Sequence, residues 1–130
     1  MQVGALDPDA GADEDESDSG GEDESEDGVG AAASFDWPRD LAMSPDGSKL
    51  FVADEGGRKI RVVNVADARV STFAGSGEPG SEDGVGTAAS FDAPEGPAMS
   101  PDGSKLVASE FSGNKIRVVN VADARVSTFA

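Results

Sequence analysis

The chain is 130 residues long and carries 26 acidic against 10 basic side chains, a formal charge of −16, with no cysteine, histidine or tyrosine. That length holds one small domain or a piece of a larger one, and the missing residue types exclude a disulfide framework, a cysteine zinc site, a thiol nucleophile and the commonest proton-transfer catalyst. No apolar run reaches the roughly 20 residues of a membrane helix, and the acidity opposes sequence-independent binding to phosphate backbones, so a partner selected by charge is expected to be basic.

Residues 1–27 hold twelve acidic side chains and no basic one, and of the 25 Leu, Ile, Val and Phe residues only Val3 and Leu6 lie there. Such a segment repels itself and cannot bury enough apolar surface to fold, so it is predicted to be a disordered acidic extension. It shows no basic or apolar signal-peptide pattern at Met1–Ala10. Asp15, Ser17, Ser19, Gly20 and Glu26 echo the spacing of a calcium-binding loop. Flanking helical patterns are missing and Glu22 stands where an apolar residue belongs, so the solvated reading is preferred. Ser17, Ser19 and Ser25 sit among acids as candidate phosphorylation sites.

From residue 25 onward the sequence repeats with a period of 56. Ser25–Gly30 recurs as Ser81–Gly86, Met43–Leu50 as Met99–Leu106, and Lys59–Ala74 unchanged as Lys115–Ala130. Residues 31–74 and 87–130 differ at twelve of 44 positions, and eight of those differences fall in 51–58 against 107–114 or at Arg39 against Glu95. A fixed period of this size signals stacked or radial units. The units are predicted at 28–74 and 87–130, joined by a Gly/Ser/acidic linker at 75–86.

Within the first unit Asp40–Met43 is predicted as a strand, ended by Ser44-Pro45-Asp46-Gly47, where proline suits the first corner of a turn and glycine the left-handed position after it. Lys49–Ala53, Lys59–Val65 and Arg69–Phe73 follow as strands, separated by Asp54–Gly57 and Ala66–Ala68. Each unit is then a four-stranded antiparallel meander. Alternation puts Ile60 and Val62 on one face, Val63 and Val65 on the other, and Leu50/Val52 opposite Phe51/Ala53. Both faces are apolar, as in propeller blades packed around an axis, where about 4–8 blades close the circle.

Phe35-Asp36-Trp37-Pro38-Arg39-Asp40-Leu41-Ala42, Ser44–Gly47, Leu50–Asp54 and Lys59-Ile60-Arg61 resemble the NHL repeat, over about residues 28–130. The resemblance implies an all-β fold, two four-stranded antiparallel blades of a six-bladed β-propeller, incomplete in the sequence given. The second copy departs from the pattern at Pro97 and at Ala108-Ser109-Glu110, and is expected to be the looser blade. Asn114 keeps the family's asparagine, which Gly57-Arg58 does not. The Ser-Pro-Asp-Gly-Ser-Lys-Leu segment would also suit other propeller repeats, whereas the absence of Gly-His and Trp-Asp pairs disfavours the Trp-Asp repeats.

In such a meander the loop after the second strand and the inter-blade stretch share one end. That end gathers Asp54, Glu55, Arg58, Glu110, Phe111 and Asn114 as candidate protein-contact residues, with Glu78, Glu82 and Asp83 from the linker. The copies vary there, which fits loops tuned to a partner and equally fits drift. Trp37, which becomes Ala93, reads as packing at the blade entrance, and Asp46 and Asp102 as turn formers.

No pair of carboxylates stands out for acid–base work, and no catalytic residue, metal or cofactor is assigned. The expected function is a non-catalytic interaction scaffold, a fragment of a longer repeat array that binds a basic protein or associates with itself to complete the ring. Two alternatives stay open: blades of a lyase or hydrolase propeller whose active-site residues lie in other repeats, and an RNA-binding platform, which the acidity disfavours. Membrane association is not expected.

Overall fold

A computed structural model describes residues 25–130. They form two five-stranded antiparallel sheets. The first contains β1 (Gly28–Val29), β2 (Pro38–Met43), β3 (Lys49–Asp54), β4 (Lys59–Asn64) and β5 (Arg69–Ala74), in the order β1-β5-β4-β3-β2. The second contains β6 (Gly84–Val85), β7 (Pro94–Met99), β8 (Lys105–Glu110), β9 (Lys115–Asn120) and β10 (Arg125–Thr128), in the order β6-β10-β9-β8-β7. Short 3-10 turns at Gly30–Ala32 and Gly86–Ala88 follow β1 and β6. The four predicted strands of each repeat are present, and a two-residue strand is added on the outside of each sheet. Residues 84–85, placed in the linker by the sequence, therefore belong to the second sheet.

The turn after β2 forms as its residues require. Gly47 takes φ +77 and donates its N–H to the Ser44 carbonyl at 2.9 Å. Asp46 Oδ1 accepts from the Ser48 N–H at 2.9 Å and from the Ser44 and Ser48 hydroxyls at 2.8 Å. Asp102 repeats the arrangement in the second sheet. Gly96 and Pro97 interrupt the β7–β8 ladder between Glu95 and Ala98, where the first sheet pairs Asp40 and Leu41 normally with Ala53 and Val52. A proline has no N–H to give a ladder, and the break here is wider than the one in the first sheet, where the register shifts between Pro38 and Asp40.

Register fixes two faces on each sheet. One, the front, carries Phe51, Ala53, Ile60 and Val62 in the first sheet and Val107, Ser109, Ile116 and Val118 in the second. The other, the back, carries Leu50, Val52, Asp54, Arg61 and Val63 in the first, and Leu106, Ala108, Glu110, Arg117 and Val119 in the second.

The front of the first sheet lies on the back of the second. Phe51, Ala53, Ile60 and Ala74 join Leu106, Ala108, Val119, Val126, Ala89 and Phe91 in one buried cluster. Phe73 closes it edge-on to Phe51, with ring centroids 5.0 Å apart. Each Val, Leu, Ile or Phe buried in this layer contributes about 1.5–3 kcal/mol. The back face of the second sheet is better covered than that of the first, because it is the one facing the other sheet.

Candidate protein-contact rim

The predicted contact residues do gather at one end of the sheets, but they divide into two layers. Asp54 and Glu110 are buried, 0% and 3% exposed, and cannot serve as surface contacts. Each is the counter-ion of a fully buried arginine two residues inside the next strand. Arg61 Nη1 donates to Asp54 Oδ2 at 3.0 Å and to the Ser34 carbonyl at 2.8 Å, while Nη2 donates to the Glu26 carbonyl at 2.8 Å and to Asp27 Oδ1 at 3.0 Å. Its guanidinium lies 4.9 Å from the centre of the Phe35 ring.

Arg117 repeats every part of this. It pairs with Glu110 at 2.6 Å, with the Ser90 and Glu82 carbonyls at 2.9 and 3.0 Å and with Asp83 at 3.1 Å, over the Phe91 ring at 5.2 Å. A buried charge survives only when paired and hydrogen-bonded, and among the described residues the two arginines meet that condition at both Nη atoms, largely through the segments preceding β2 and β7, while each Nε has no hydrogen-bond partner. Residues 25–27, which the sequence assigns to the acidic extension, are thus clamped to the first sheet. The rest of the extension, including most of the calcium-loop echo, lies outside the described residues.

The carboxylates also fix the loops above them. The Asp36 N–H donates to Asp54 Oδ1 at 2.7 Å, and the Asp92 N–H to Glu110 Oε2 at 3.1 Å. Ser25 and Ser81 donate their hydroxyls to Asp54 and Glu110. A Cβ on Gly57 would stand 2.6 Å from the Ser25 hydroxyl and 2.8 Å from Asp54 Oδ2. On Gly113 it would collide with Glu110 Oε1. This close approach fits a glycine at both 57 and 113.

The outer layer is the surface. Trp37 is 67% and Phe111 68% exposed, one in each sheet at the same end. The Glu55 N–H donates to the Trp37 carbonyl at 3.1 Å and the Phe111 N–H to the Ala93 carbonyl at 2.9 Å, so each aromatic sits beside the loop entering the third meander strand. The copies swap places: Trp37 corresponds to Ala93, and Phe111 to Glu55. Trp37 is therefore not the packing residue that its position at the blade entrance suggests. Glu55 pairs with Arg39 at 3.1 Å, and Arg58 and Asn114 both adopt left-handed backbone, φ 57 and 56. The sequence pointed to the loops but missed Arg61 and Arg117. The available signal was a basic residue on a strand face that otherwise alternates with Val63 and Val119.

Among the described residues no group of three or more His, Cys, Asp or Glu side chains is placed to hold a metal ion, and no helix is long and apolar enough to cross a membrane.

No family model matches the chain. It is 29% identical over 104 residues to the NHL repeat-containing protein 2 of Bos taurus, covering 79% of this chain and 14% of that protein. The repeats are NHL-like. Among solved structures, a protein of unknown function from Bacteroides thetaiotaomicron superposes with a TM-score of 0.69 at 25% identity, covering 82% of this chain and 25% of that one. An auxiliary nutrient binding protein from Bacteroides ovatus superposes with a TM-score of 0.59 at 20% identity, covering 69% and 24%. The two sheets are partial β-propeller blades. The chain spans about a seventh of the NHL relative's length and about a quarter of these structures.

Proposed function

We propose that this pair of NHL-like blades is a non-catalytic scaffold that presents its variable rim to a protein partner with basic and apolar side chains. The observation that carries the reading is the presence of Trp37 and Phe111, two aromatics about two-thirds exposed at one end of neighbouring sheets. Exposed aromatics on a rigid support are the residues that most often dominate protein interfaces. The support is rigid because the buried Arg61–Asp54 and Arg117–Glu110 pairs pin the loops from below. The charge of the chain, −16, selects against acidic partners and speeds encounter with basic ones.

Trp37 is the only tryptophan, so its fluorescence reports on the rim directly. A synthetic peptide of alternating Lys and Leu should shift Trp37 emission, whereas one of alternating Glu and Leu should not. Phe111→Ala should weaken the response about fivefold or more, the loss of at least 1 kcal/mol that marks an energetically important contact. The same titration on a chain lacking residues 1–24 separates the rim from the acidic extension. Emission insensitive to both peptides, or affinity unchanged in Phe111→Ala, contradicts the proposal.

A further inference from the structure

The contact between the sheets uses two different faces, the front of the first and the back of the second. Each sheet owns both faces, so one of each remains outside. On the back of the first sheet Met43, Leu50, Val63 and Val70 stand in register as Met99, Leu106, Val119 and Val126 do in the second. Leu106 and Val119 are fully buried, whereas Leu50 and Val63 are half-buried and Met43 is 50% exposed. Phe91 is buried against the first sheet while its twin Phe35 is half-buried. On the front of the second sheet Ile116 and Val118 repeat Ile60 and Val62. Phe129, the twin of the half-buried Phe73, is 73% exposed.

We infer that the front of the second sheet of one molecule seats on the back of the first sheet of a second copy, so that chains associate head to tail. The occupant is specified by the contact already inside the chain: Leu50 and Val63, half-buried on the first sheet, are the twins of Leu106 and Val119, fully buried on the second, and the free front offers Ile116 and Val118 with Val107 and Ser109 in the places of Phe51 and Ala53. The buried charges on that docking face create no obstacle. Arg61 and Asp54 are already paired within their own molecule, so docking strands no uncompensated ion. A contact between unlike faces propagates until it closes on itself. Rings of blades close at about 4–8, which is two to four copies of a two-blade chain. This inference is independent of the rim and its partner, since the rim lies at the strand ends and the docking surfaces are the sheet faces.

Sedimentation equilibrium of the full chain at about 0.15 M ionic strength should give a mass two to four times the 13.1 kDa of one chain. Val63→Asp places a charge on the free back face and Val118→Asp one on the free front. Each variant alone should sediment as a monomer, and an equimolar mixture should form a dimer and nothing larger, because only one intact pair of faces is present. Circular dichroism and a cooperative melt verify that each variant is folded; if one is not, Leu50→Glu or Ile116→Glu replaces it. A monomer at every concentration from micromolar to millimolar would overturn the inference. So would an assembly that survives Val63→Asp, or folded variants that do not pair when mixed.

Discussion

Arg61 and Arg117 are the residues on which each blade's entry depends. Burying a guanidinium is costly, and the carboxylate, backbone carbonyls and aromatic ring around each one offset that cost only while all are in place. Replacing Arg117 with Met leaves Glu110 buried without its counter-ion and should cost about 3–5 kcal/mol, read from urea unfolding. Replacing Arg117 and Glu110 together by Met should cost less than the single change. Arg58 holds a left-handed conformation, which asparagine tolerates better than arginine because its short polar side chain can hydrogen-bond locally, and Asn114 fills the same place in the other copy. Arg58→Asn should therefore stabilise by about 1 kcal/mol.

Asp46 and Asp102 are held down to about 2 by the Ser48 and Ser104 backbone N–H groups first, then by the hydroxyls of Ser48 and Ser44, and of Ser104 and Ser100. Their folded-state values lie below the usual carboxylate value, so the stability they lend is present above about pH 4 and is lost as pH falls towards 2. Carboxyl titration by NMR should give midpoints near 2 for both, and Ser48→Ala should raise the Asp46 midpoint towards 3.8. These turns were legible in the sequence because proline, aspartate and glycine act locally. The arginine anchors were not. Of the five acceptors of Arg61, four are more than twenty-five residues away, and three of those, at Ser25, Glu26 and Asp27, lie in a segment whose composition reads as solvated.

At the scale of elements, Pro38–Met43, Lys49–Asp54, Lys59–Asn64 and Arg69–Ala74 lie within about two residues of the strands read from alternation and turns. The outer strand was invisible, since Gly28–Val29 and Gly84–Val85 are too short to carry a period. Only the pairing of Gly28 with Val70 and Val29 with Arg69 makes a strand of them. The passage from one blade to the next is governed by Gly75, at φ +108. Its missing side chain would stand 2.9 Å from the Arg58 carbonyl oxygen and 3.1 Å from the Phe91 ring. Gly75→Ala thus strains the backbone and pushes on the inter-blade cluster, and should cost about 1–3 kcal/mol in a thermal or urea melt.

Over the whole molecule, residues identical in the two repeats stand in different surroundings. Sequence patterning showed that both faces of each repeat are apolar, but it does not say which face of which copy is covered until the two are stacked. Stacking covers the back of the second sheet and the front of the first, and leaves the other two faces partly open. Leu106 is fully buried and its twin Leu50 is not. Truncating a core leucine costs about 2–5 kcal/mol, and less where water already reaches the site. The most direct test is to unfold Leu106→Ala and Leu50→Ala in urea at a dilution where the chain is monomeric. The stacking described here predicts that Leu106→Ala loses at least about 1 kcal/mol more than Leu50→Ala. Equal losses, or a larger loss at Leu50, would contradict it.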